Sequence, residues 1–192
     1  PLIMFSQTQI GSDINGEASN DNSGHSVSFS SDGTIVAIGA SSPEPDQDYA
    51  NDGNGSNSGH VRVYKNISGT WTQLGDDIDG EAAGDASGVS VSLSSDGTKV
   101  AIGAYLNDGG GSDSGHVRVY EYSGSSWSQL GSDIDGEAAG DNSGISVSLS
   151  SDGTKVAIGA YGNDGGGSNS GHVRVYEYDG GSWSQPVVDI DG

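Results

Sequence analysis

The stretch Gly140 to Ala160 recurs almost letter for letter at Gly84 to Ala104, and more loosely at Asn20 to Ala40. No other feature restricts the fold of this chain so sharply. Val147 and Leu149 alternate with Ser146, Ser148 and Ser150, the period of two expected of a strand with unlike faces. Ser151-Asp152-Gly153-Thr154 reads as a tight turn, with a glycine free to take positive φ. Val156, Ile158 and Ala160 then alternate back against Lys155, Ala157 and Gly159. Each copy is one β-hairpin, and three copies of it predict a repeat architecture.

The hairpin sits inside a larger unit. Repeats run from Thr8 to Trp71, Thr72 to Trp127 and Ser128 to Trp183, the last two 56 residues each, and a fourth begins at Ser184. The first is longer by eight residues around Ser41 to Ala50, a segment with Pro43 and Pro45 that reads as a surface loop. After the hairpin comes a polar loop, Tyr105 to Gly115, and a third alternating strand, His116 to Tyr122. A Gly/Ser turn leads to a fourth strand, Trp127 to Gly131. Nothing reads as a helix, since Glu137-Ala138-Ala139 is too short to nucleate one. Four antiparallel strands in about 50 residues describe a β-propeller blade. The prediction is an all-β chain of about three four-stranded blades: 24–80 (with the insertion at 41–50), 81–136 and 137–192. Residues 8–23 form an entering fourth strand, Thr8 to Gly11, and a linker. Closed rings take roughly four to eight blades, so the expectation is a portion of a larger ring.

Glycine supplies 34 of 192 residues, a composition that without a period would signal disorder. Asp and Glu outnumber Lys and Arg 27 to 6, for a net charge of −21. Such a surface repels phosphate backbones and argues against nucleic-acid binding. There is no cysteine, hence neither a disulfide framework nor a thiolate metal site. The apolar opening Pro1 to Phe5, followed by Ser6-Gln7, reads as a signal-peptide remnant and cleavage region over 1–7, with an ordinary apolar first strand as the alternative. No stretch approaches the ~20 apolar residues of a membrane span.

Gly-Asp-x-Ser-Gly-x-Ser-Val-Ser-Leu-Ser-x-Asp-Gly, Ala-Ile-Gly-Ala, Ser-Gly-His-Val-Arg-Val-Tyr and Trp-Ser-Gln, in this order and period, resemble the FG-GAP repeat of integrin-α-type β-propellers, closest to its bacterial short-hairpin variety. The resemblance covers nearly everything from Thr8 to Gly192 and implies a secreted or cell-surface binding or adhesion module. The family's Phe-Gly is Ser-Gly here, at Ser23-Gly24, Ser87-Gly88 and Ser143-Gly144. Its Gly-Ala-Pro becomes Gly39-Ala40-Ser41, Gly103-Ala104-Tyr105 and Gly159-Ala160-Tyr161. Integrin-type repeats hold calcium between the first two strands. Here that hairpin shrinks to Ser-Asp-Gly-Thr, too short to wrap an ion.

A second acidic loop keeps calcium as the one cofactor to consider. Asp133, Asp135, Glu137 and Asp141 fall at offsets 0, 2, 4 and 8, and Asp77, Asp79, Glu81 and Asp85 repeat that spacing. One short loop so spaced can turn several oxygens inward, as Ca²⁺ requires. The competing reading makes Asp133-Ile134-Asp135 a strand continuation and Asp85 and Asp141 turn-tying side chains. His60, His116 and His172 each open a third strand, too far apart around a ring to share one ion, and are expected in inter-blade packing or a backbone hydrogen bond. Trp71, Trp127 and Trp183 recur at the fourth strand and are expected to pack between blades, with a sugar platform as the alternative. The insertion, with Glu44, Asp46, Asp48 and Tyr49, is the least symmetric part and the candidate contact for a protein or glycan partner. Catalysis needs unlike groups converging on one site, and no nucleophile–base set stands outside the repeats. The expected function is therefore non-catalytic binding. The alternatives are a structural spacer without a specific ligand and a non-catalytic portion of a secreted enzyme.

Overall fold

The computed structural model describes residues 8–41 and 54–192, and among these there is no helix. The strands fall into three antiparallel sheets. The first holds β1 (Ser23–Phe29), β2 (Ile35–Ala40), β3 (His60–Ile67), β4 (Thr70–Gln73) and β5 (Ile78–Asp79). The second holds β6 (Ser90–Leu93), β7 (Lys99–Ala104), β8 (His116–Tyr122), β9 (Trp127–Gln129) and β10 (Ile134–Asp135). The third holds β11 (Ser146–Leu149), β12 (Lys155–Ala160), β13 (His172–Tyr178), β14 (Trp183–Ser184) and β15 (Ile190–Asp191).

Each sheet is a four-stranded blade whose outer strand is broken in two. In the second sheet β9 pairs with the far half of β8, Tyr120 opposite Gln129. The chain then leaves the ladder and rejoins as β10, Ile134 opposite Val117 and Asp135 opposite His116. Gly131, at a φ of 78°, makes the excursion, as Gly75 does at 72° in the first sheet. The sequence predicts one fourth strand per blade, and the break places Asp133 in the gap between its halves. Among the described residues Thr8 to Gly11, the predicted entering strand, pairs with no strand, and the Ile10 carbonyl accepts from Trp71 Nε1 at 3.0 Å.

The hairpin turns are locked by side chains. Asp152 Oδ1 accepts hydrogen bonds from the Thr154 amide at 3.0 Å, the Thr154 hydroxyl at 2.9 Å and the Ser150 hydroxyl at 2.6 Å. Asp32 and Asp96 do the same in the other two blades. Those donors hold all three carboxyls below the usual Asp range: the Thr34 and Thr98 amides lead for Asp32 and Asp96, the Ser150 hydroxyl for Asp152.

Two apolar cores lie between the three sheets. Ile35, Val61, Val63 and Ile78 meet Val91, Leu93, Val100 and Ile102 in the first. Val117, Val119 and Ile134 meet Leu149, Val156 and Ile158 in the second. The sheets also touch through their main chains. A Cβ placed on Gly103 of β7 would lie 1.9 Å from the Gly144 carbonyl oxygen, and one on Gly39 of β2 would lie 2.1 Å from that of Gly88. Ser90 Oγ donates to that Gly144 carbonyl at 2.7 Å, and Ser26 Oγ to Gly88 at the same distance. Gly88 and Gly144 belong to the Ser-Gly motif and take φ values of 85° and 89°. The Gly-Ala and Ser-Gly motifs are therefore the two sides of one seam.

Two outcomes follow. Gly103→Ala drives a methyl into backbone and should cost about 1–3 kcal/mol in a denaturant melt. Gly159→Ala, whose Cβ meets only the Ser146 side chain and backbone, should cost less than Gly103→Ala. The lowered carboxyl groups give stability that is fully present above the unfolded Asp value of 3.8 and is lost as pH falls through their lower folded values. A D96N/D152N variant should therefore show a shallower loss of melting temperature than the parent between about pH 4 and pH 2.

Candidate functional site

Three constellations of unlike, chemistry-bearing groups occur among the described residues, one per blade: Glu17, His60 and Asp77; Glu81, His116 and Asp133; Glu137, His172 and Asp189. In each, one ligand-type atom per residue lies within 4.8 Å of the others. Their assembly follows from the fold. The histidine opens the third strand, His116 at the start of β8. The aspartate sits in the gap of the broken outer strand, Asp133 just before β10. The glutamate comes from the segment that enters the blade, Glu81 shortly after β5 of the preceding sheet. The three elements meet at one end of the sheet, against the seam.

In the second and third copies the imidazole faces its carboxylates beyond hydrogen-bonding distance, while in the first Glu17 and Asp77 share a hydrogen bond. His116 is 1% exposed, and its Nδ1 stands 3.7 Å from Glu81 Oε2. Neither His116 ring nitrogen has a hydrogen-bond partner. His172 Nδ1 lies 3.7 Å from Glu137 Oε2 and 3.7 Å from Asp189 Oδ2, so two carboxylates face one imidazole nitrogen. A neutral imidazole carries one N–H, and burying it without an acceptor costs roughly 1–3 kcal/mol. Of the two expected roles of these histidines, inter-blade packing or a backbone hydrogen bond, the second is absent at His60 and His116. Burial, with Arg118 adding to it, pushes the His116 imidazole below its ordinary value. Burial also raises the Asp77 and Glu81 carboxyls.

The carboxylates are held in place. Asp133 Oδ1 accepts from Gln129 Nε2 at 2.6 Å, and Asp77 Oδ1 from Gln73 at 2.6 Å. Gln185 holds Asp189 in the same way, through Oδ1, leaving Oδ2 toward His172. Arg118, stacked over Tyr120, donates to the Asp79 carbonyl at 2.8 Å and stands 3.6 Å from the other oxygen of Glu81. Arg174 repeats this on Tyr176, the Asp135 carbonyl and Glu137.

The acidic quartets read from the sequence are divided by the fold. Asp77 goes to His60, while Glu81 goes to His116 in the next blade. Asp133 joins Glu81, whereas Glu137 joins His172. Asp79 and Asp135 lie in β5 and β10, opposite His60 and His116 in the ladder. Asp85 and Asp141 are buried turn locks. Asp85 Oδ2 accepts from the Ala82 amide at 3.0 Å and from Asn107 at 2.9 Å, and Asp141 repeats this with Ala138 and Asn163. At the hairpin, where the family holds calcium, the single carboxylate, Asp152, accepts from Ser150 and Thr154. The insertion residues Glu44, Asp46, Asp48 and Tyr49, and the opening residues 1–7, lie outside the described residues.

The tryptophans tie successive blades. Trp127 Nε1 donates to the Leu74 carbonyl of the preceding sheet at 2.7 Å, and Trp183 to Leu130 at 2.7 Å. Each packs at a tilt on a tyrosine, Tyr122 at 5.1 Å and Tyr178 at 5.2 Å. Trp127 also packs against the first core.

Broken outer strands, inter-sheet cores and the Gly/Ser seam define a β-propeller-type blade array. The FG-GAP repeat matches this chain at two tandem positions, residues 78–120 and 133–176. No curated protein matches the chain. Among solved structures it is similar to a putative 6-phosphogluconolactonase from Bacteroides fragilis NCTC 9343, with a TM-score of 0.54 and 13% identity over 86% of this chain and 38% of that one. A putative 6-phosphogluconolactonase from Bacteroides uniformis ATCC 8492 gives 0.52 and 13% over 86% and 39%. Saccharomyces cerevisiae Sqt1 gives 0.51 and 15% over 91% and 36%. At such identities the likeness is one of fold, and the chain spans under two-fifths of each of these structures.

Trp127→Phe keeps the ring packing and removes the donor to Leu74. It should lower stability by roughly 0.5–1.5 kcal/mol in a chemical melt, with strand content unchanged by circular dichroism.

Proposed function

We propose that this chain is a non-catalytic binding module of a secreted or cell-surface protein, built from FG-GAP blades and completed by further blades of the same kind. The observation that carries this reading is that every described constellation recurs once per blade. Glu81–His116–Asp133 and Glu137–His172–Asp189 differ in sequence position but not in composition. A catalytic centre needs unlike groups converging at one place. Sites repeated along an array instead suit an extended partner that meets several at once. A surface of net charge −21 directs that partner away from nucleic acid.

The case for further blades is that equivalent residues differ only in what covers them. Val117 and Ile134 are 0% and 4% exposed, whereas Val173 and Ile190, their counterparts in the third sheet, are 37% and 59% exposed. On the opposite face Val91 is 9% exposed and Val27, its counterpart in the first sheet, 61%. With Tyr161 and Gly159 the uncovered side of the third sheet lines an open concavity of about 870 Å³. The corresponding face of the second sheet, with Val117 and Ile134, is covered by Leu149, Val156 and Ile158 of the third.

The test is a binding screen of the chain against glycan and extracellular-matrix protein arrays, with and without residues 41–50, beside a 6-phosphogluconolactone hydrolysis assay. Binding that weakens when the insertion is removed, with no hydrolysis, is the expected result. Hydrolysis that follows the purified chain would overturn the reading in favour of an enzyme like the structural neighbours. No binding by either form would make the array a spacer.

A further inference from the structure

We propose that the Glu–His–Asp cluster at the end of each blade binds a divalent transition-metal ion, with Zn²⁺ as its representative. The observations are those of the two best-defined copies. One imidazole nitrogen and two carboxylate oxygens converge, with His116 Nδ1 3.7 Å from Glu81 Oε2 and His172 Nδ1 3.7 Å from both Glu137 Oε2 and Asp189 Oδ2. Separations of 3.7 Å are too long for hydrogen bonds. Bonds of about 2.0–2.1 Å around a tetrahedral ion put neighbouring ligand atoms roughly 3.3 Å apart, a few tenths of an ångström inside the observed spacing. The buried His116 ring supplies the second, independent sign, since both its nitrogens lack hydrogen-bond partners in a site otherwise rich in them.

The donor set also selects the kind of ion. Ca²⁺ and Mg²⁺ take oxygen ligands, whereas an imidazole nitrogen with two carboxylates suits zinc and its neighbours in the transition series. Gln129 and Gln185 act as positioning residues. Each donates to the Oδ1 of its aspartate, and at Asp189 the oxygen facing the histidine is the other one, Oδ2. Such outer hydrogen bonds fix ligand orientation at metal sites. Glu17, His60 and Asp77 make the third copy. Each site draws its glutamate from the segment entering the blade and its other two ligands from the blade itself. An ion there therefore clamps the entering connection to the new sheet.

Calorimetric titration of the intact chain with Zn²⁺, in excess Mg²⁺ to occupy diffuse acidic sites, tests the proposal. Three equivalents are expected for the three clusters. His116→Gln and His172→Gln should each remove one equivalent, while His25→Gln, at an exposed histidine outside the clusters, should remove none. Should His116→Gln fail to fold, Asp133→Asn at a half-buried position reads the same site and should also remove one. Zn²⁺ should raise the melting temperature where equimolar Ca²⁺ does not. Heat of binding that Mg²⁺ abolishes, or a stoichiometry that both the His116 and His172 variants leave unchanged, would overturn the assignment.

Discussion

The blades are held together where main chain lies on main chain. At Gly103 and Gly144, and at Gly39 and Gly88, two sheets approach so closely that no side chain fits between them. Everything else takes its dimensions from that contact. It sets the narrow spacing at one edge, so the residues that fill the interior are mostly of moderate size, Val, Ile and Leu rather than aromatic rings. It leaves carbonyl groups at the seam that must be satisfied, and Ser26 and Ser90 supply the donors. Parallel bridges from Gly59 to Ser87 and from Gly115 to Ser143 continue the seam past the strands proper. At the other edge the indoles of Trp127 and Trp183 reach back to carbonyls of the preceding sheet. A blade is thus fastened at both margins by hydrogen bonds and in the middle by apolar packing.

Because each blade presents one face forward and a different one backward, the contact is head to tail. A head-to-tail contact never exhausts itself: it either closes into a ring or continues. The same side chains are buried on faces that another sheet covers and exposed on faces that none covers, which makes burial here a property of neighbours rather than of sequence. Val61 and Val117 are fully covered while Val173 is not. Repeat proteins behave in this way because each unit is stabilised by the next as much as by itself.

The hairpins, third strands and blade count were legible in the sequence because they rest on period-two alternation and on glycine-bearing turns, both local signals. Asp152 and its counterparts are local too, and Ser-x-Asp-Gly-Thr spells the whole hydrogen-bonded turn. The break in the outer strand was not legible as a break. Gly131 looks like the end of a strand, and that Ile134 rejoins the same neighbour depends on β8 running past it. The clusters were hidden for a related reason. Spacing within one acidic loop suggests that Asp77, Asp79, Glu81 and Asp85 act together, but alternation along β5 and the step into the next blade send them to different partners. His116 meets a glutamate 35 residues before it and an aspartate 17 after it. The available signal was that Glu81, His116 and Asp133 shift together by 56 residues to Glu137, His172 and Asp189. Pairing that period with the rule that strand three starts where strand four ends would have brought the three together.

What the repeats preserve between the second and third blades also says where function lies. Core residues, seam glycines and turn aspartates recur because each has a mechanical role that any change would spoil. In the Glu–His–Asp groups the glutamates stand beside Arg118 and Arg174 and the aspartates accept from Gln129 and Gln185, whereas the His116 ring has no hydrogen-bond partner. A buried imidazole facing carboxylates beyond hydrogen-bond distance is a poorer support than an apolar residue of the same volume. Arg118 and Arg174, by contrast, serve the frame, because each donates across the seam to the β5 or β10 carbonyl behind it. The histidine is the buried member of each cluster, and neither His60 nor His116 has a hydrogen-bond partner for a ring nitrogen. Its place in every blade, against the entering connection, means that an ion bound as proposed would couple binding to the stability of the joint between sheets.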